Sequence, residues 1–506
     1  MQLENLVIID CGMEEIVEGE GRKDAVERFV FPRVTLLTLK RLPRLKWFYP
    51  GVHTLEFPML KEMWVEGCQK VDIFAYGLLS FQEMLRESRH VISTQQPLFL
   101  VHEVEFPSLE NLVISHMDNL ITIWHDQVAA DSFCNIQELV VEFCENFLHV
   151  FDSNMPRRFK HLTALRISDC ASLEEVLEVA MQGRNSNVEA HAVTTTYLST
   201  MILVRLPRLK NVWNKDYLDI CSFQNLREIH AEGCESLKSF FPVVLVATSL
   251  TQLEDLQIVN CWIEEIVARG LGEEATPRFV FSRMTTLNLL GLAKLKLFYQ
   301  GVHTSKWPSL KNMRVDGCQK VEIFASEYMS FQEALEESRQ SKISSDQPLF
   351  LVDQDQAAFP SLEILIISHM DDMKVIWNTQ FAADSFCKLQ MMRVESCANL
   401  NSIFPFKMLK VFQSLNFVNV VSCGSLKQVF DLQGPSFQET GAITVMQLRD
   451  LYLSDLPKLK QISNKDPRDI LSFQNLRDVR ANGCESMECL FPASMARTLM
   501  ELESLE

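Results

Sequence analysis

The sequence predicts an α/β solenoid, a horseshoe or superhelix with a concave parallel β-sheet and convex loops and short helices. Three observations predict it: a short leucine frame recurs along all 506 residues, the apolar fraction is 47%, and the two halves of the chain repeat one another. Single globular cores stop growing at roughly 250 to 300 residues, whereas stacked repeats bury one another without that limit. We therefore expect residues 1–506 to form a single solenoid.

The repeating frame is clearest at Leu226, Ile229, Ala231 and Cys234, which give the spacing L-x-x-L-x-L-x-x-C. Most steps between frames are 26 to 36 residues, and two are 49 and 52. This spacing is typical of leucine-rich repeats. Sixteen frames begin at Leu3, Val34, Leu60, Leu109, Ile136, Leu162, Leu198, Leu226, Leu253, Met284, Leu310, Leu362, Leu389, Leu415, Leu448 and Leu476.

Each frame predicts a short strand, because the x-L-x-L-x core alternates with period two. One set of side chains points inward and the next points to solvent. Stacked strands form a parallel sheet on the concave face, and each return segment crosses the convex side as a loop, turn or short helix. No repeat buries its leucines alone, so neighbouring repeats must cover them.

A larger repeat underlies the small one, and it indicates an internal duplication with halves 1–250 and 251–506. "FYPGVHT" returns as "FYQGVHT" and "EGCQKVDIFA" as "DGCQKVEIFA", at an offset between 249 and 253 residues. Two insert loops, residues 75–105 and 325–358, fall in corresponding repeats. Both contain S-F-Q-E, which recurs at Ser436–Glu439. Serine followed three residues later by glutamate favours a helix start, so a short convex helix is predicted there, in a structural loop.

The two halves of the chain have mostly identical residues at inward positions and mostly different residues at outward strand positions. Over eight repeat pairs, 25 of 32 inward residues are identical, but only 2 of 24 outward strand residues are. Other polar positions of the same repeats match at 14 of 24. Neutral drift of exposed residues is the alternative explanation, but drift alone should not select one face. We therefore interpret the concave face as a contact surface that was respecified after duplication.

The composition of that face favours a protein partner, because tryptophan, tyrosine and arginine dominate interface energies. A net charge of −18 disfavours nucleic acid, and no apolar run approaches the ~20 residues of a membrane span. The candidate protein-binding residues are Trp64, Arg166, His230, Arg314, Arg393, Phe417, Tyr452 and Arg480.

Ten of the fourteen cysteines fall at one phase of the repeat, which predicts a structural ladder of buried thiols. With no CxxC pair, we expect no metal site and no disulfide framework. The absence of N-glycosylation sites and of a signal peptide favours a cytoplasmic location. The ladder comprises Cys11, Cys68, Cys144, Cys170, Cys234, Cys261, Cys318, Cys397, Cys423 and Cys484.

The sequence contains no catalytic motif and predicts that the protein is not an enzyme. It lacks a phosphate loop, a G-x-S-x-G elbow and an H-E-x-x-H pair. His116 and His369 are duplicates of one strand-end position and are expected to be polar surface groups. The acid pair Glu14 and Glu15, like its copy Glu264 and Glu265, is expected to be solvated.

The phrases "LPRLKNVW", "SFQNLREIHAEGCESLKSFFP" and "QLEDLQIVNC" resemble the carboxy-terminal leucine-rich repeats of plant coiled-coil nucleotide-binding (NB-LRR, NLR) disease resistance receptors. The resemblance covers essentially the whole chain. It implies an intracellular immune receptor in the plant defence response. In such a receptor the repeats sense a pathogen effector or a guarded host protein and hold an NB-ARC domain inactive in cis.

This chain departs from the family because no nucleotide-binding domain is present in it. We therefore expect no cofactor here; ADP or ATP would enter only through an NB-ARC domain upstream. The incomplete repeats at both ends suggest a fragment of a longer receptor. The alternatives are a leucine-rich-repeat scaffold or ubiquitin-ligase substrate adaptor, which needs an F-box or similar module, and a stand-alone inhibitor, which needs capped ends.

Overall fold

The computed structural model describes residues 3–19, 27–50, 53–68, 74–75, 97–100, 106–124, 133–151, 159–177, 194–213, 221–268, 277–299, 303–318, 324–326, 348–352, 359–377, 382, 384–432, 444–464, 466 and 471–506. The chain divides into two compact units, Met1–Leu237 (unit 1) and Lys238–Glu506 (unit 2).

A parallel main sheet runs through each unit, and each of the sixteen predicted frames contributes one five-residue strand to it. The strands of unit 1 are Asn5–Ile9, Leu36–Lys40, Glu62–Glu66, Asn111–Ser115, Glu138–Glu142, Ala164–Ser168, Thr200–Val204 and Glu228–Glu232. Those of unit 2 are Asp255–Val259, Thr286–Leu290, Asn312–Asp316, Ile364–Ser368, Met391–Glu395, Phe417–Val421, Asp450–Ser454, Asp478–Asn482 and a short seventeenth strand, Ser504–Leu505.

Neighbouring strands pair in register, so equivalent positions of successive repeats form straight rows. Leu139, for example, pairs with Leu112 on one side and with Leu165 on the other. The second and fourth residues of a strand point inward, and the first, third and fifth lie at outward positions. Leu139 and Val141 are fully buried between half-buried outward neighbours. Each buried leucine stabilises the fold by roughly 1.5–3 kcal/mol through removal of its apolar surface from water.

A residue with left-handed backbone conformation follows every one of the sixteen five-residue strands; we call this the left-handed position. Its φ angle lies between 50° and 66° throughout. Only five of these residues are glycine, although the left-handed region disfavours other L-residues. Hydrogen bonding accounts for the conformation: the amide of Arg205 donates to the carbonyl of Glu232, the last residue of the next strand, at 2.7 Å. The amide of Gly291 donates to Asp316 in the same way, also at 2.7 Å.

The return side of the repeats carries short parallel strands in place of most of the predicted loops and helices. In unit 1 these are Glu27–Val30, His53–Glu56, Phe74–Ala75, Pro97–Leu100, Thr122–Trp124, His149–Phe151, Glu175–Leu177, Thr194–Thr195 and Cys221–Ser222. In unit 2 they are Ser239–Pro242, Glu265–Ala268, Arg278–Val280, Leu297–Tyr299, Thr304–Lys306, Phe324–Ser326, Pro348–Val352, Val375–Trp377, Phe404–Pro405, Phe430–Asp431, Thr444–Val445 and Leu471–Ser472.

Helices are short and few among the described residues. Two α-helices, Val243–Thr248 and Ala493–Ala496, and two 3₁₀ turns, Phe159–His161 and Phe406–Met408, are present. Each α-helix is preceded by a proline whose backbone is extended. Proline has no backbone N–H to donate, and it is tolerated at the start of a helix because the first amides there have no acceptor within the helix. The S-F-Q-E helices predicted in the inserts lie outside the described residues.

Aromatic side chains form a column through the core beside the leucines. In unit 1 the rings of Phe31, Phe57 and Phe106 follow one another at centroid distances of 4.9 and 5.7 Å. In unit 2 the rings of Phe281 and Trp307 lie 4.2 Å apart in the same stacked arrangement. These rings fill the space between the main sheet and the return strands, and ring pairs at such distances add about 0.5–1.5 kcal/mol each beyond burial. The predicted leucine-rich-repeat solenoid is thereby confirmed, with strands predominating on its return side.

Candidate functional site

The eight predicted binding residues all lie at outward positions of main-sheet strands. Seven occupy the third position of their strand, and Phe417 occupies the first. None is buried: Arg166, Arg314 and Arg480 are exposed, and Trp64, His230, Arg393, Phe417 and Tyr452 are half-buried. Their side chains are therefore accessible to a partner.

In unit 1 the structure does not bring the predicted residues together. Two strands separate Trp64 from Arg166, and one strand separates Arg166 from His230. The ammonium of Lys40 lies 4.9 Å from the ring centroid of Trp64, and Arg166 donates from Nε to the Glu138 carboxylate at 3.2 Å. Each candidate in this unit is engaged mainly by its nearest neighbours.

In unit 2 three predicted residues meet on adjacent strands. The ring of Phe417 packs edge-on against that of Tyr452, with centroids 5.2 Å apart, and the Arg480 guanidinium lies 4.9 Å from the centroid of the Tyr452 ring. The Tyr452 hydroxyl donates to Asp478 at 2.9 Å. Asp478 also accepts from Arg480 at 3.0 and 3.3 Å.

These contacts shift the titration of the groups that make them. Hydrogen bonds from Arg480 hold the pKa of Asp478 below its usual range. The pKa of Tyr452 is raised, because its hydroxyl donates to the Asp478 carboxylate and because it is partly desolvated. Asp478 is therefore a carboxylate whose charge is already satisfied within the protein.

The remaining two predicted arginines of unit 2 are paired within their own strands. Arg314 donates to Asp316 at 2.8 Å, and Arg393 donates to Glu395 at 2.6 Å. His369, at the left-handed position of the next repeat, lies 2.9 Å from the second oxygen of Asp316. Burial opposes ionisation of Asp316, but the hydrogen bonds from Arg314 and His369 outweigh it and hold its pKa below the usual range.

Three further outward residues lie beside this group but were not among the predicted binding residues: Ile364, Met391 and Asp450. They occupy the first position of their strands, in the same row as Phe417. Burial, followed by the neighbouring carboxylate of Asp478, raises the pKa of Asp450. The signal was present in the comparison of the two halves, because the equivalent residues of unit 1 are polar or small.

The left-handed position was also missed, although it brings further side chains to the edge of the outward face. His116 stacks on Phe143 of the next repeat at 4.7 Å, and Arg41 donates to both oxygens of Asp10 at 2.6 and 2.7 Å. The available signal was the residue before each cysteine, which is often Gly, Asn or Asp. These are the residue types that tolerate φ > 0 best.

The cysteines of the predicted ladder all lie two residues beyond the end of a main-sheet strand. Eight are buried, Cys11 and Cys484 are half-buried, and each is a free thiol. Most donate to the carbonyl two residues earlier, as Cys261 does to Val259 at 3.4 Å. Burial raises the pKa of Cys68 to about 11 and that of Cys318 to about 12. Such thiols act as small apolar groups and not as nucleophiles.

The described part of the chain carries no metal-binding cluster and no membrane-spanning helix. No group of three or more His, Cys, Asp or Glu side chains there could hold a metal ion. No helix among the same residues is long and apolar enough to cross a membrane.

Parallel strands that alternate buried aliphatic residues with outward residues, each followed by a left-handed residue, define a leucine-rich-repeat solenoid. The chain belongs to the plant disease resistance protein RPS2-like family of leucine-rich repeats, whose model matches residues 108–262 and 360–506, more than half of the chain. The first matched segment lies mostly in the first half of the duplication, and the second lies in the second half.

Two solved structures are similar to the chain at low identity. One, titled "Crystal structure of PEPR1-AtPEP1", is 12% identical with a TM-score of 0.22 and covers 96% of this chain and 81% of its own. The other, titled "Crystal structure of TLR13-ssRNA13 complex", is 9% identical with a TM-score of 0.18 and covers 89% and 81%. Both TM-scores are low, and the fold assignment rests on the strands and register described above. No curated protein matches the chain significantly.

Proposed function

We propose that the outward positions of the main-sheet strands in both units are the protein-recognition surface of a plant intracellular immune receptor. The single observation that carries the proposal is the contrast between the halves: 25 of 32 inward residues are identical, whereas the outward residues above them differ at 22 of 24 positions. A binding face is expected to keep the inward residues that support it while its exposed side chains change. The membership of the chain in a plant disease resistance family supports this use.

The ligand in this proposal is a pathogen effector or a host protein that an effector modifies. An NB-ARC domain acting in cis is the second partner, held inactive until the ligand binds. The chain itself acts without catalysis and without a cofactor, in the cytoplasm. The mixture of arginine, aromatic and acidic side chains on the outward positions supports a protein ligand over a nucleic acid, which would need a basic stripe.

The test exchanges outward residues between the halves. One variant of the full chain carries Lys40→Leu, Trp64→Arg, Glu138→Met, Val140→Arg, Ala164→Phe and Ile202→Tyr, each of which installs the unit 2 residue in unit 1. The matched control exchanges inward residues at six positions: Val34→Met, Ile136→Leu, Leu139→Met, Leu165→Val, Met201→Leu and Ile229→Val. Proteins bound from extracts of infected plant tissue are then quantified by mass spectrometry.

We expect the outward variant to bind a different set of proteins and the inward control to bind the set of the parent chain. The circular dichroism spectra of both variants should match that of the parent chain, because unit 2 carries the same residues at the equivalent positions of the same fold. If the outward variant binds an unchanged set of proteins, the outward face of unit 1 is not the recognition surface.

A further inference from the structure

Unit 2 carries an apolar cluster at outward positions of four adjacent strands. Its members are Ile364, Met391, Phe417 and Tyr452, and we call them the aromatic cluster. The first three lie side by side, because Ile364 pairs in register with Met391 and Met391 with Phe417. Tyr452 joins through its edge-on contact with Phe417 at 5.2 Å. All four are half-buried, so part of each apolar surface faces water.

The fold does not require these side chains. At the same outward positions of unit 1, above a similar inward core, the duplicate residues are Asn111, Glu138, Ala164 and Ile202. The first three are polar or small, so the main sheet is stable without an apolar row there. Partly exposed apolar groups that packing does not demand, set among polar neighbours, mark an interaction site.

Two arginines beside the aromatic cluster are each paired with an acid on their own strand. Arg393 is bound to Glu395, and Arg480 to Asp478. Asp450 lies between them in register, with Phe417 on one side and Asp478 on the other. No hydrogen bond or ion pair joins its carboxylate to another residue of the described chain.

The surroundings of Asp450 favour an added cation. Burial and the facing carboxylate of Asp478 raise its pKa, and the longer-range fields of Arg449, Arg477 and Arg480 only partly offset them. Arg480 is already engaged with Asp478. A partner's ammonium or guanidinium would therefore neutralise an acid that has no counter-ion among the described residues, in a partly desolvated position where such a bond is strong.

We propose that the aromatic cluster and Asp450 together dock a protein segment that presents an apolar side chain next to a lysine or arginine. The apolar side chain covers Met391 and Phe417, and the basic group binds the Asp450 carboxylate. In-register strands lie about 4.8 Å apart, so neighbouring side chains of one segment reach both sites. The inference rests on the proposed function, and it specifies the chemistry of the ligand.

The experiment pans a random peptide library displayed on phage against the full chain. Enriched peptides are synthesised with a fluorophore, and their affinity is measured by fluorescence anisotropy. Three variants are compared: Asp450→Asn, Phe417→Ala and the charge control Glu62→Gln. Glu62 occupies the same strand position as Asp450 but lies in unit 1, so both acid variants remove one negative charge. Phe417→Ala installs the residue that unit 1 carries at that position.

We expect enriched peptides to pair a lysine or arginine with an adjacent aliphatic or aromatic residue. Asp450→Asn and Phe417→Ala should each weaken their binding at least tenfold, while Glu62→Gln should change it less than twofold. A peptide in which glutamate replaces the basic residue should lose binding to the parent chain. Equal weakening by Glu62→Gln would reveal general attraction to a chain of net charge −18 and overturn the assignment.

Three other results would also overturn the inference: enriched peptides without a basic residue, the absence of enrichment, or undiminished binding to both cluster variants. A concentration-dependent dimer that Phe417→Ala dissociates would assign the cluster to a second copy of the chain instead. The proposed function is tested independently of this inference, because its experiment exchanges residues of unit 1 alone and measures which proteins bind. A change in that set would stand even if Asp450 proved irrelevant.

Discussion

The ammonium of Lys46 donates to the carboxylate of Glu14 in the preceding repeat at 2.6 Å, and the guanidinium of Arg44 donates to the other oxygen at the same distance. The arrangement recurs where Lys296 binds Glu264 at 2.8 Å. The sequence had suggested that these acids are merely solvated. They instead join consecutive repeats on the return side.

The stability contributed by Glu14 should depend on pH. The hydrogen bonds from Lys46 and Arg44 lower the pKa of Glu14 to about 2, below the usual value of about 4.3. The contribution is therefore fully present above the usual value and is lost as the pH falls towards about 2. In urea unfolding, Glu14→Gln should lower the midpoint at pH 7, and the difference from the parent should shrink between pH 4.5 and 2. Because the groups are exposed, 1 M NaCl should also shrink it. A difference in midpoint that changes with neither pH nor salt concentration would contradict this account.

Replacing glycine at a left-handed position should destabilise the chain through the backbone alone. Gly317 has φ +62°, and an added Cβ would meet the Gly291 Cα at 3.4 Å, which is tight but not a clash. We expect Gly317→Ala to cost about 1–2 kcal/mol of unfolding free energy, measured by urea denaturation. Gly424→Ala is the matched control, because its Cβ would approach only the Ala398 carbonyl, at 3.9 Å, without a left-handed φ. Equal losses in the two variants would rule out the conformational explanation.

Truncating an inward leucine should lower the unfolding free energy far more than truncating an outward residue of the same repeat. Leu226 is fully buried in unit 1, and Leu226→Ala should lower the unfolding free energy by about 2–5 kcal/mol because a cavity remains. His230 lies on the same repeat at an outward position, and His230→Ala should change stability by less than about 0.5 kcal/mol. Guanidinium titrations followed by circular dichroism measure both. Comparable effects would mean that the assignment of inward and outward positions is wrong.

The thiol ladder should resist alkylation in the native state. Cys489 is exposed, whereas Cys68 and Cys318 are buried with pKa values of about 11 and 12. At pH 8 iodoacetamide should modify Cys489 first and leave the two buried thiols unmodified until the chain unfolds, because only the thiolate reacts. Peptide mass spectrometry of timed samples provides the rates. Labelling of Cys318 as fast as Cys489 would exclude a buried ladder.

The frame of leucines was sufficient to predict every main-sheet strand through Asp478–Asn482, because alternation with period two decides which residues of a strand are buried. It did not reveal the return strands such as Val375–Trp377, whose pairing depends on contacts between repeats and not on their own short sequence. The strand Ser504–Leu505 was also missed, since only part of a frame precedes it.

The candidate site was predictable only in part. Outward positions follow from the frame, so Phe417 and Tyr452 were found. The proposed role of Asp450 was not predicted, because its lack of a counter-ion among the described residues depends on three neighbouring strands together. Likewise, Arg393 and Arg480 were expected to be available to a partner, and only the side-chain geometry shows that each already holds an acid on its own strand.

The amides that follow most main-sheet strands donate forward, as Asp10 does to Lys40 at 3.1 Å and Asp455 to Asn482 at 2.8 Å. This polarity governs how such a gene can lengthen. A tandem copy of whole repeats inherits a complete set of donors and acceptors, whereas a copy that gains or loses one residue within a strand would turn its leucines toward water. Unequal recombination that adds whole repeats therefore preserves the hydrogen bonds and the inward leucines of the fold. Mutation can then alter the exposed residues of either copy.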